Sequence, residues 1–192
     1  MRKSRLLIVG ILSSLFLMTA CGGDKKDDST KVKMSKEELK SSIKIMEDSL
    51  KLLQSSKLPI ENLHRMELVN RLLAFYRNYP EDSYSATCLD DVHMIYSGMG
   101  VHDLSITYAD TLLSKYPKYE NRAMILESQG SNYDIFTSPR DSSKVRYYYE
   151  LLLKENPNMD KEKQTGIRER LANNNLTFDE YINKKIKDMA LK

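Results

Sequence analysis

Apolar positions recur at helical spacing through most of the chain. Leu39, Ile43, Met46, Leu50 and Leu53 follow one another at intervals of four, three, four and three, which puts them on one face of a helix. Ser35, with Glu38 three residues on, has the form of a capping box that opens such a helix. Leu58-Pro59 closes it, because proline has no N–H to donate and clashes with the preceding turn. A second helix is predicted from Ile60 to Arg77, ahead of Pro80. Four more follow: from Asp82 or Ser83 to Gly100, from Val101 to Tyr116, from about Tyr119 to Phe136, and from Ser142 to Glu155. A further helix starts near Asp160 and stops at the run Asn173-Asn174-Asn175. Thr177 with Glu180 is a second capping box, and Phe178, Tyr181, Ile182, Ile186 and Met189 stripe the last helix. No stretch alternates apolar and polar residues as a half-buried strand would. The chain is predicted to be all-α, with residues 35–192 forming one domain.

One pattern is written twice. Leu89, Val92, His93 and Tyr96, then Ser105, Ala109, Leu112 and Pro117, return as Leu126, Gln129, Gly130 and Tyr133, then Val145, Tyr149, Leu152 and Pro157. The first halves are 37 residues apart and the second halves 40. A half-copy precedes them as Leu68, Leu72, Phe75 and Pro80. The excess residues fall around Lys118 to Asn121 and in the turn-rich segment Thr137 to Ser143. A small residue lets two helix backbones approach, and Gly130 fits such a crossing. His93 holds the equivalent place and predicts a looser one. Tyr96 and Tyr133, three residues further on, are expected to pack across each helix pair.

These residues resemble the tetratricopeptide pattern. The resemblance implies an α-solenoid of antiparallel helix pairs, about three repeats followed by a C-terminal capping helix with one polar face. It also implies that the first helix of each pair lines a concave groove. By that resemblance the groove positions are Thr87, Asp90, Met94 and Ser97 in one repeat and Met124, Glu127, Ser131 and Asp134 in the next. The set holds three carboxylates, two methionines and no cation, which would suit a basic segment of a partner. The Lys and Asn arrangement with which some members clamp a C-terminal carboxylate is absent.

The N-terminus changes the setting. Arg2, Lys3 and Arg5 precede the apolar run Leu6 to Met18, whose 13 residues fall short of the roughly 20 needed to span a bilayer. Met18-Thr19-Ala20-Cys21 resembles the lipobox of bacterial lipoproteins, with Met18 where leucine is usual. The resemblance implies that residues 1–20 are a cleaved signal and that Cys21 carries the lipid; an ordinary signal or an uncleaved anchor helix are the alternatives. Gly22 after the cysteine implies transfer to the outer membrane, and Asp27-Asp28 resembles the surface-export signal of some Gram-negative anaerobes. The periplasmic face and the cell surface both stay open. Residues 21–34 are polar and charged and predict a lipidated, disordered tether. Near Leu171 and over Leu176 to Ile182 the chain resembles the end of small tetratricopeptide-like lipoproteins from the same anaerobes.

The signal also explains the charge. The whole chain has 30 basic and 27 acidic residues; without Arg2, Lys3 and Arg5 the two sets balance at 27 each. No basic face is announced and no nucleic-acid partner is expected. Membrane attachment rests on the Cys21 lipid alone. Cys88 is left as one thiol between Ala86 and Leu89 and reads as a buried filler.

Candidate chemistry is sparse. His64, His93 and His102 are the only histidines, and none has metal-ligand spacing to a second ligand. Phosphate-loop, nucleophile-elbow and Cys–His patterns are missing, and no cofactor is called for. Asp90 and Asp91 are adjacent on a helix and point about 100° apart, so they do not face one another. Of Tyr147, Tyr148 and Tyr149, at most two can be buried. The sequence therefore predicts a non-enzymatic scaffold that binds another envelope protein. A second expectation is an accessory lipoprotein of outer-membrane barrel assembly, whose Leu-Leu…Tyr-Pro ending resembles Leu112, Leu113, Tyr116 and Pro117. A third, of a different class, is an envelope enzyme acting on the cell wall.

Overall fold

The structure, a computed structural model, describes residues 34–191. The signal, Cys21 and all of the tether but its last residue lie outside the described residues. The described chain is all-helical and has no strand: α1 (Lys36–Ser55), α2 (Asn62–Asn78), α3 (Tyr84–Gly98), α4 (His102–Lys115), α5 (Arg122–Ser131), a π-helical turn (Asn132–Phe136), α6 (Ser142–Glu155), α7 (Lys161–Ala172) and α8 (Phe178–Ala190).

Both capping boxes form. Ser35 Oγ accepts from the Glu38 N–H while the Glu38 carboxylate accepts from the Ser35 N–H, and Thr177 and Glu180 repeat the arrangement. Pro80, Pro117 and Pro157 stop three helices in one way. Tyr79, Tyr116 and Asn156, each just before its proline, leave the helical region at φ −136°, −124° and −126°. Each still donates its N–H four residues back, to Phe75, Leu112 and Leu152. Gly100 ends the turn after α3 with φ +73°, a conformation glycine adopts without strain. The start of α5 differs from expectation. Tyr119 and Glu120 stay in the turn, and the helix begins at Arg122.

Helices pack on their neighbours in chain order, α1 on α2 through to α6 on α7. One apolar cluster joins α1 to α4 around Ile43, Leu72, Phe75, Leu89 and Leu112. A second gathers Leu126, Val145, Tyr148, Tyr149, Leu152 and Ile167, and Leu113 packs against both. Cys88 is fully buried in the first, and burial pushes its thiol up to about 12. The two central pairs carry matching aromatic stacks. Tyr96 lies on Tyr108 with centroids 5.7 Å apart, and Tyr133 lies on Tyr148 at 5.6 Å, both nearly parallel. Tyr148 and Tyr149 are buried and Tyr147 is exposed.

The His93 crossing is not loose. The imidazole is fully buried, with Nδ1 on the backbone oxygen and hydroxyl of Ser105 (3.0 and 2.8 Å) and Nε2 on Ser128 Oγ (3.0 Å). Burial lowers its pKa from the ordinary range. The sequence offsets explain the room: the residue 40 before Tyr149 is Ala109, so the large side chain has changed helices between the two copies. The last helix departs from a simple cap. Tyr181 is buried, but Ile186 and Met189 on the same stripe are more than half exposed.

At the second crossing the fit is tight. A Cβ on Gly130 would fall 2.5, 2.7 and 2.9 Å from three ring atoms of Tyr149, whereas one on Gly98 would meet nothing within 4 Å. Gly130→Leu is therefore expected to lower stability by about 1–3 kcal/mol or more through overpacking, and Gly98→Leu by much less. Equal melting temperatures for the two variants would refute the crossing.

Candidate interaction surface

The groove positions from the sequence divide into two kinds. Met94 on α3 and Met124 on α5 are 56% and 62% exposed and carry the open apolar surface of the set. Thr87, Asp90, Ser97, Glu127 and Ser131 are half-buried. Asp134 is a correction: it lies in the π-helical turn and is buried. Its Oδ1 accepts from Arg140 Nε (2.7 Å) and Arg170 Nη2 (2.6 Å), and its Oδ2 accepts from Arg170 Nε (2.6 Å). Arg140 continues to the carbonyl and side chain of Asn174, and Arg170 to the carbonyls of Asn173 and Leu176. This network ties the 137–143 loop and α7 to the turn after α5. A buried carboxylate needs such partners, so Asp134 serves the fold and faces no groove.

The other two carboxylates are also engaged. Asp90 Oδ2 accepts from the Tyr119 hydroxyl (2.9 Å) and from Asn121 Nδ2 (3.3 Å). Burial, and then that hydrogen bond to Asp90, push the Tyr119 phenol up to about 12. Glu127 pairs with Lys163 of α7 at 2.5 Å. Of the acidic, cation-free set expected from the sequence, Asp134 and Glu127 are thus paired with cations from elsewhere in the chain, and Asp90 is hydrogen-bonded to neutral groups only.

Two of the cavities along the helices lie near the sequence-predicted positions. One, of about 640 Å³, lies between α4 and α6, where Asp110 accepts from Gln129 (2.6 Å) and from the Tyr148 hydroxyl and Arg122 pairs with Glu155. Those charged groups are satisfied internally. The other, of about 600 Å³, is walled by Tyr84, Ala86 and Thr87 of α3 and by Tyr116, Pro117 and Tyr119 of the α4–α5 turn. Its tyrosines are fixed: the Tyr116 hydroxyl donates to the Pro80 carbonyl, Tyr119 donates to Asp90, and Tyr84 stands edge-on to Phe75 at 5.0 Å. Thr87 is the sequence-predicted residue in this groove.

Asp91 lies one turn along α3 from Thr87. Its carboxyl is pushed up to about 6 by burial, then by Asp90, then by Glu47 of α1. Among the described residues neither Asp91 nor Glu47 has an ion pair or a side-chain hydrogen bond. Neither lines the groove of Tyr84, Thr87 and Tyr119. Tyr84, Thr87, Cys88 and Asp91 share one helix face and could have been grouped by spacing. Glu47 could not, because only the docking of α1 brings it there.

The histidines hold structural places: the His64 ring accepts from the Glu61 N–H, and His102 stacks on Phe136 at 4.0 Å. Among the described residues no three His, Cys, Asp or Glu side chains converge on a metal-sized site, and no helix is long and apolar enough to cross a membrane. Comparison with protein-family models, with curated proteins and with solved structures finds no match to this chain.

The raised Asp91 carboxyl fixes the sign of a pH effect. The folded chain holds this proton more tightly than the unfolded chain, whose carboxyl titrates near 3.8. The favourable contribution is therefore lost as pH rises from about 4 through about 6. Because the site is partly open to solvent, the cost of the ionised form is on the order of 1 kcal/mol. Asp91→Asn should be more stable than the parent at pH 7 by about that amount and gain less at pH 4, measured by urea unfolding. The same gain at both values would contradict this assignment.

Proposed function

We propose that the chain is a lipid-anchored scaffold of the tetratricopeptide kind, which binds another protein of the bacterial cell envelope and catalyses no reaction itself. The observation that carries this reading is the duplication of α3–α4 in α5–α6. Sequence offsets of 37 and 40 correspond to matching tyrosine stacks, matching helix ends before proline and an exchange of bulk at the crossing. Pairs that pack in chain order form an α-solenoid, with α1–α2 as an atypical first pair and α7–α8 closing the series. Such arrays work through extended surfaces. Met94 and Met124 offer one here, because unbranched thioether side chains adapt to a partner's contour.

The lipobox-like Met18-Thr19-Ala20-Cys21 supports attachment at the outer membrane through a lipid on Cys21. With balanced charge after the signal, nothing else in the tether would hold the chain to a bilayer. Each buried CH₂ of a lipid chain contributes about 0.8 kcal/mol. Cys21→Ser should move the protein from the membrane to the soluble fraction; its full retention after a high-salt wash would reject the anchor.

The partner surface has its own test. Met94→Glu with Met124→Glu changes two exposed residues, so stability should stay within about 0.5 kcal/mol of the parent. Crosslinking in intact envelopes, followed by identification of the captured protein, should give one dominant partner with the parent chain and at least tenfold less with the double variant. Equal capture by both would remove this face from the reading.

A further inference from the structure

One tyrosine of the run Tyr147 to Tyr149 is left out of the core and lines the cavity between α4 and α6. Tyr147 is 55% exposed and meets Tyr148 nearly edge-on, with centroids 5.0 Å apart. Among the described residues no other ring and no cation lies on it. Leu113, Leu126 and Leu151 add apolar lining beside the two rings. At about 640 Å³ the cavity falls within the roughly 300–1,000 Å³ of small-molecule sites.

The polar lining is part fixed and part open. Asp110 is held by Gln129 and by the Tyr148 hydroxyl, and Arg122 by Glu155 and the Leu113 carbonyl, so neither has to be ordered when a ligand arrives. A carboxylate has about four lone-pair sites, so Asp110 can accept from a further donor. The Ser114 and Ser143 hydroxyls and the Lys144 ammonium line the same cavity and are exposed. Among the described residues these three side chains have no hydrogen bond and no ion pair; Lys144 lies 5.9 Å from the centroids of the Tyr133 and Tyr148 rings. The charges balance, Asp110 and Asp141 against Arg122 and Lys144. An anion or a cation would therefore meet a like charge on one wall, and a wholly apolar occupant would leave the donors and acceptors unpaired. A neutral molecule with hydroxyls around a flat apolar face meets neither objection.

We propose that this cavity binds a neutral sugar unit of gluco configuration within an oligosaccharide, with the C–H face of the pyranose against Tyr147 and its hydroxyls meeting Asp110, Ser143 and Lys144. In that configuration the hydroxyls are equatorial, so both faces of the ring are C–H. Such a face suits the negative face of an aromatic ring. Each sugar hydroxyl both donates and accepts, which matches a lining of one carboxylate, two serines and an ammonium. The site is separate from the methionine surface, and the proposal stands whether or not that surface binds a protein.

The test uses the full chain in a detergent without a sugar headgroup and saturation-transfer NMR at millimolar ligand. The probes are cellotriose and maltotriose, which present the same unit in β and α linkage. At least one should receive saturation, most strongly on its ring C–H protons. Tyr147→Ala should weaken binding at least tenfold, and Tyr147→Phe should keep it within twofold, because the ring carries the contact. Asp110→Asn should weaken it at least threefold. Met124→Ala, on the other surface, should change it less than twofold. Circular dichroism melting of each variant separates lost binding from lost folding: Asp110 also holds Gln129 and Tyr148, whereas Tyr147 is exposed and its variants should melt as the parent does. Trigalacturonate and a neutral peptide of serine and tyrosine serve as competitors, and neither should displace the bound trisaccharide. No transfer to either trisaccharide, equal binding by Tyr147→Ala and the parent, or an equal loss in Tyr147→Phe and Tyr147→Ala would overturn the proposal. So would displacement by the peptide at lower concentration than by the trisaccharide itself, which would make the cavity a site for a protein segment.

Discussion

No residue ahead of a proline settles easily into a helix, and this chain meets that constraint three times. Tyr79, Tyr116 and Asn156 each leave the helical region while their N–H groups still reach back one turn. The positions of Pro80, Pro117 and Pro157 therefore set where α2, α4 and α6 end. With the ends fixed, the apolar residues of each helix meet their neighbours in one register. The tyrosine stacks, the crossing at Gly130 and the clusters around Leu89 and Leu126 depend on that register.

Within the register, each helix pair has a fixed volume to fill. One copy fills it with His93 and the other with Tyr149, and each choice brings its own requirement. A buried imidazole needs partners at both nitrogens, which Ser105 and Ser128 supply. A buried tyrosine ring needs a bare backbone opposite, which Gly130 supplies. The copies are alike in geometry and differ in chemistry. That is why the match in sequence fades at the positions that matter most for packing.

Periodicity and helix signals were enough to place α1, α2, α4, α6 and both capping boxes in the sequence, because those features depend on residues within one turn of each other. The burial of two of the three tyrosines from Tyr147 to Tyr149 followed for the same reason. The candidate site was less legible. Thr87, Met94 and Met124 are open or half-open, as helix-face spacing suggests, but Asp134 is claimed by Arg140 and Arg170, which lie 6 and 36 residues away. Glu127 is likewise claimed by Lys163 of α7. Conversely, the carboxylates left without partners, Glu47 and Asp91, come from different helices and are joined only by tertiary packing. Spacing along one helix reports which way a side chain points. It says nothing about what waits there.

Packing in chain order has a consequence for motion. Apart from the Asp134 clasp, α7 is held by contacts with α6 and by ion pairs to Glu127 and Lys185, and two of the five stripe residues of α8, Ile186 and Met189, are more than half exposed. The cheapest excursion from the native state is then an opening from the α8 end that halts at Arg170 and Asp134. Amide protons should exchange in a gradient, fastest in α8 and slowest around Leu89 and Leu112, with a step where the clasp is crossed. A pull or a protease acting at that end would meet a bolt before it met the core.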